Sequence, residues 1–204
     1  MLYPNPLNLV MTIHRIIKPD VDPSAVELML DDFPSDPVAI ESTVLARISY
    51  SLDWELYKMP WYFPTVEQVL ERGEGDCKAR ALVLASVLEA KNIPYQLNSS
   101  PIHVWVDYES KQENPYENPQ VKFYQYDPES GERQFQIPNI GISQVMDSWR
   151  QQLWTPMPKD RRALLISGLL ALIAARVILR KKRGSQYDTR ALKANRLRGQ
   201  GLAE

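Results

Sequence analysis

Hydrophobic and polar positions fall into three successive rhythms along this chain. In the first, Ile40, Val44 and Ile48 recur at i, i+4 and i+8, the spacing of one helical face. Asp36 stands before them as a cap and Pro37 fits the first helical position, so a helix is predicted from there to about Tyr50. Thr65-Val66-Glu67-Gln68 has the form of a capping box, which predicts a short helix to about Glu71. From Cys77 to Lys91 apolar residues are dense. Ala81, Leu82, Leu84, Ala85, Val87 and Leu88 spread over a broad surface, as in a central buried helix. Asn92 suits a left-handed C-terminal position and Pro94 blocks continuation. Upstream, Leu7–Ile17 has scattered apolar residues and Ala25–Leu30 suggests a short helix after Ser24. The aromatic-rich stretch Asp53–Phe63, with Pro60, is expected to be an ordered loop.

After Pro94 the period shortens to two. Tyr95–Leu97 predicts a short strand. Ile102–Tyr108 is the clearest one, with Ile102, Val104, Val106 and Tyr108 on one face and His103, Trp105 and Asp107 on the other. Val121–Asp127 predicts a second strand, Pro128–Gly131 a turn, and Gln134–Ile137 one more strand. Helices followed by antiparallel strands indicate an α+β fold. The third rhythm is Ala163–Leu179, apolar except for Ser167, Gly168 and Arg176. The basic run Arg180-Lys181-Lys182-Arg183 follows at once.

Charge adds a division that bulk composition conceals. The 204 residues carry a formal net charge of −1. Residues 1–158 hold 12 Lys+Arg against 22 Asp+Glu, a net of −10, and residues 159–204 hold 12 against 3, a net of +9. An acidic body is joined to a basic segment, and each half suits a different partner. Apolar residues at 44% exclude a wholly disordered chain. One cysteine excludes an intramolecular disulfide and a multi-cysteine zinc site. With two histidines and no glycine-rich phosphate loop, no metal or other cofactor is expected. The N-terminal residues lack the pattern of a secretory signal.

That one cysteine, Cys77, stands where a glycine-bearing turn ends and the long helix begins. Unpaired N–H groups and the positive end of the helix dipole stabilise a thiolate at such a position. A lone cysteine is more often a small buried hydrophobe; its place at a helix start favours the nucleophile. A nucleophilic cysteine needs a base, and the base needs an orienting acceptor. His103 is the candidate base, with a satisfied structural histidine as the alternative. Asp107 shares its strand face but lies about 13 Å along the strand. Asp127 ends the next strand, where pairing would bring it beside His103; a turn-initiating aspartate before Pro128 is the alternative. Glu113 and Glu117 fall in the polar loop Lys111–Gln120 and are expected to be solvated.

These residues together resemble a known family. The stretch Gly73–Tyr95, with Gly75-Asp76-Cys77 opening a helix and Asn92-Ile93-Pro94 closing it, is similar to the nucleophile helix of the transglutaminase-like superfamily. His103-Val104-Trp105-Val106 resembles that family's histidine element and Asp127-Pro128 its aspartate element, while Asp36–Tyr50 resembles the helix preceding the core. The resemblance covers about residues 36–130. It implies a papain-like core, in which the cysteine helix packs on an antiparallel sheet, within a catalytic domain at 1–158 (core about 36–140). It also implies acyl transfer on a peptide or carboxamide through Cys77, His103 and Asp127, with a thioester intermediate and a protein or peptide substrate. The oxyanion hole would use the Cys77 N–H and a second donor, for which Trp61, Tyr62 and Trp54 are candidates. Trp105, on the His103 face, either walls the cleft or packs in the core. A non-catalytic binding module with the same fold is the competing reading.

Ala163–Leu179 just reaches the length of a membrane span. It is expected to be a transmembrane or membrane-embedded helix, with residues 180–204 as a flexible basic tail. Eight Lys/Arg in the 20 residues after the run, against four in the 20 before it, favour a cytoplasmic tail; a helix lying on an anionic leaflet satisfies the same charges. Nucleic acid is disfavoured, because Tyr187 is the sole aromatic after Trp154.

Overall fold

The computed structural model describes residues 3–112 and 115–200, with side chains as far as Arg180. The chain divides into two compact units, Met1–Met157 and Pro158–Glu204. The first is α+β. Helix α1 (Pro6–Ile17) is capped by Asn5, whose side chain accepts from the Leu7 N–H at 3.0 Å. A 3-10 segment, Ser24–Asp32, replaces the short helix expected at Ala25–Leu30. Helix α2 (Pro37–Arg47) begins as its cap predicts, with the Ala39 N–H donating to Asp36 at 2.9 Å. It stops before Tyr50 because Ser49–Tyr50, strand β1, pairs in parallel with Glu74–Gly75, strand β2. The pairing satisfies backbone groups that a further helical turn would otherwise use.

The stretch expected as a loop contains one short helix, α3 (Asp53–Leu56). Helix α4 (Val66–Arg72) has the predicted capping box. The Gln68 N–H donates to Thr65 Oγ1 at 3.3 Å, and the Thr65 N–H donates to Gln68 Oε1 at 3.1 Å. Helix α5 (Cys77–Ala90) is the centre of the core. Ala79, Leu82, Val83, Ala85, Val87 and Leu88 are all at most 1% exposed, so it is buried on nearly every side. Burying each larger side chain stabilises the fold by about 1.5–3 kcal/mol. Alanines at 79, 81 and 85 let neighbouring elements approach closely.

Helix α5 packs against α2, α4, the 3-10 segment and two strands of an antiparallel sheet. The strands are β3 (Tyr95–Ser99), β4 (Val104–Tyr108), β5 (Tyr124–Tyr126) and β6 (Arg133–Phe135), in spatial order β4-β3-β5-β6. Consequently β4 and β5 are not neighbours. Both pair with β3, with Ser99 opposite Val104 on one side and Tyr124 on the other.

Helix α6 (Ile142–Trp149), which the sequence pattern did not reveal, runs into a π-helical segment, Arg150–Trp154. This region clasps the body: Trp149 Nε1–H donates to the Pro101 carbonyl (3.0 Å), Gln152 Nε2 to the Ile102 carbonyl (3.3 Å), and Trp54 Nε1–H to the Leu153 carbonyl (2.8 Å).

The second unit holds helix α7 (Lys159–Gln200). Within it, Lys159–Arg180 is long and apolar enough to cross a membrane, alone in this among the described residues. The basic segment expected as a flexible tail continues this helix to Gln200; its lysines, arginines, alanines and leucines are strong helix formers. Residues 201–204 lie outside the described residues.

Candidate active site

The turn before α5 is built from its smallest residue. A Cβ on Gly75 would collide with the Ala79 Cβ, so glycine lets the chain pass tightly over the first turn of the helix. Asp76 caps that turn, accepting from the Ala79 N–H at 3.4 Å. Cys77 is thereby the first helical residue and is partly exposed. Behind it, Lys78 is fully buried and its ammonium lies between two carboxylates, Asp53 (2.7 Å) and Asp76. Burial works against the Lys78 charge, but the two carboxylates hold its pKa above the ordinary lysine value. Burial raises the Asp53 carboxyl to about 6, against the pull of Lys78. No feature of the hydropathy pattern announced this buried ion cluster.

His103 precedes β4 in a turn closed by Ser100. The Ser100 N–H donates to the His103 carbonyl at 2.8 Å, and the His103 N–H donates to Ser100 Oγ at 3.0 Å. The imidazole stacks on buried Trp105, with centroids 5.9 Å apart and planes 9° from parallel. Its Nε2 meets Glu117 Oε1 at 2.7 Å, and its ring faces the pocket that Cys77 also lines. Burial disfavours imidazolium here, yet the influence of nearby Cys77 and the bond to Glu117 outweigh it and raise the His103 pKa to about 9. Despite its own burial, Glu117 is held down at about 2 by His103 and Lys111. The Lys111 ammonium lies 3.3 Å from its other oxygen.

The carboxylate facing His103 is therefore Glu117 and not Asp127. Sheet register gives the reason. Gln96 lies opposite Asp107 on β4, and Asp127 follows Tyr126, the partner of Leu97, on β5. Asp127 is thus level with Asp107, about four residues along the sheet from His103 and two strands across, which at ~3.3 Å per residue and ~4.8 Å per strand is far beyond hydrogen-bond reach. Asp127 instead organises its turn, accepting from the Glu129 N–H at 2.9 Å. Glu117 was expected to be solvated, but its side chain is 14% exposed. The available signal was a carboxylate in the proline-flanked loop that returns from β4; Glu113 lies outside the described residues.

Cys77, His103 and Glu117 line one pocket of about 110 Å³, together with Tyr50, Arg80, Trp105 and apolar side chains of α2 and α5. None of the three aromatics expected to complete an oxyanion hole lines it. Trp54 is buried and bonded to Leu153, Tyr62 donates its hydroxyl to Gln68 (3.2 Å), and Trp61 stands in an exposed loop. Trp105 both walls the pocket and packs in the core. Among the described residues, no group of three or more His, Cys, Asp and Glu side chains is arranged to hold a metal ion. Comparison with protein families, curated proteins and solved structures finds no match.

Proposed function

We propose that this chain is a cysteine acyl-transfer enzyme of the transglutaminase-like kind, with a papain-like core, acting on peptide or carboxamide bonds. The observation that supports the reading is one pocket lined by Cys77, His103 and Glu117, with His103 bonded to an ionised Glu117. The chemistry follows from that arrangement. His103, protonated at neutral pH, pairs as imidazolium with the Cys77 sulfur, which attacks the substrate carbonyl. Glu117 fixes the ring orientation and stabilises the imidazolium. His103 then gives its proton to the leaving amine, which leaves a thioester on Cys77. Water, activated by the same imidazole, releases the acid. Hydrolysis is favoured over crosslinking because water is always at hand and no amine site is identifiable. Cys77→Ala is expected to keep the fold and abolish amidase or protease turnover; normal turnover by that variant would refute the mechanism.

We further propose that Lys159–Arg180 associates the enzyme with a membrane. The segment's apolar length supports this, as do the basic residues that follow it, which suit an anionic surface. Co-flotation of the full chain with anionic vesicles tests it.

A further inference from the structure

The site as described has one gap. The Cys77 N–H at the start of α5 supplies one donor to a developing oxyanion, and none of the anticipated aromatics supplies the second. Tyr50 is differently placed. It lines the pocket with Cys77 and His103. Parallel pairing sets its backbone opposite Gly75, two residues before the nucleophile, with the Ser51 N–H donating to the Gly75 carbonyl at 3.2 Å. The ring is held from behind by Arg80, whose guanidinium carbon lies 5.2 Å from the ring centroid, while Arg80 Nε–H donates to the Ile48 carbonyl at 2.9 Å. The two-residue strands β1 and β2 thus hold the Tyr50 backbone beside the turn that precedes Cys77.

We propose that Tyr50 is the second oxyanion donor, its hydroxyl bonding the carbonyl oxygen of the acyl group as Cys77 attacks. This rests on the acyl-transfer reading and completes it. As the S–C bond forms, the carbonyl π pair moves to oxygen, which then accepts from the Cys77 N–H and the Tyr50 O–H. The proton already rests on His103 as imidazolium, and no proton leaves Tyr50. Burial, and next the nearby Cys77 sulfur, push the Tyr50 phenol up to about 12. It therefore keeps its proton at neutral pH and acts only as a donor. Collapse of the tetrahedral species expels the leaving group with its electron pair and leaves the thioester.

Two reactions of Cys77 separate this role from any effect on the thiol itself. Acetylation by p-nitrophenyl acetate passes through an oxyanion and releases p-nitrophenolate. Alkylation by iodoacetamide displaces iodide at a saturated carbon and develops no oxyanion. In the full chain, Tyr50→Phe is expected to slow single-turnover acetylation of Cys77 by about 10²-fold, the scale of losing one oxyanion donor, with the alkylation rate within twofold of wild type. Tyr50 is half exposed, and unchanged alkylation also certifies an intact site. Acetylation at the wild-type rate would overturn the Tyr50 assignment alone. Equal slowing of both reactions would also overturn it, since Tyr50 would then act on the sulfur. If wild-type Cys77 is alkylated but never acetylated, the acyl-transfer reading itself fails.

Discussion

Glu117→Gln removes one charge from the site and keeps the shape and a hydrogen-bonding side chain. In the native protein His103 rises from 6.5 to about 9. At ~1.4 kcal/mol per pH unit this is about 3 kcal/mol of preference for imidazolium, achieved against the cost of burial and shared between Cys77 and Glu117. Losing the Glu117 part should lower the His103 midpoint by at least about one pH unit. The loss has a definite pH window. A raised histidine pKa stabilises the fold fully below 6.5, and the contribution fades as pH rises toward 9. The depressed Glu117 pKa stabilises the fold above 4.5, and that contribution fades as pH falls toward 2. The pair therefore contributes most between about pH 4.5 and 6.5. There Glu117→Gln should cost about 1.5–3 kcal/mol, as for a hydrogen bond to a charged group, and less above about pH 9. The assay is NMR titration of the His103 ring proton, identified against His14→Gln, with urea unfolding at about pH 5.5 and about pH 9.5. A midpoint unmoved by Glu117→Gln would refute the pairing, as would one lowered instead by Asp127→Asn.

Three further outcomes are expected. Lys78→Met leaves Asp53 and Asp76 buried without their cation and should destabilise the protein by about 3–5 kcal/mol, measured by urea midpoint; a loss below about 1 kcal/mol would mean that the ammonium is not buried between them. Gly75→Ala should cost about 1–3 kcal/mol through the clash with Ala79, and Ala79→Gly added to it should recover stability, giving a double variant more stable than Gly75→Ala alone. Leu170→Lys with Ile173→Lys, at about 3 kcal/mol per charge in a bilayer centre, should abolish vesicle flotation of the full chain without altering acetylation of Cys77.

The helices around Cys77 were legible because their signals are local. Asp36-Pro37, the Thr65/Gln68 box and the Cys77–Lys91 apolar run each state their own start or stop within a few residues, and each forms where its signal lies. Cys77 and His103 line one pocket; their pairing was suggested by the chemistry a nucleophilic cysteine needs and by the family resemblance, not by a local signal. What failed was non-local. Alternation locates β4 and β5, but nothing in it says that β3 lies between them, and that one insertion removes Asp127 from the site. Tyr50 was hidden within the run assigned to α2, because a two-residue parallel pair has no periodicity of its own. Helix α6 was missed although Ile142, Val145, Met146 and Trp149 fall at i, i+3, i+4 and i+7, the spacing of one helical face.

A loop carboxylate is an unexpected choice for a residue that holds the His103 imidazole, since fixing a loop costs about 1–2 kcal/mol of entropy per residue. The contacts of Glu117 account for it. Lys111 donates to the Val106 carbonyl at 2.7 Å and lies between two carboxylates, Glu41 on α2 at 3.0 Å and Glu117 at 3.3 Å. Glu41 also accepts from the Tyr108 hydroxyl at the end of β4. Signs alternate from Glu41 through Lys111 and Glu117 to His103, so each charge is flanked by its opposite and every bond is charge-assisted. The loop end is in this way tied to α2 and β4, the elements that pack around the cysteine helix. Rigidity that a strand-borne carboxylate would take from the sheet is supplied here by the ion-pair row, at the cost of making His103 dependent on residues well outside hydrogen-bond range of it.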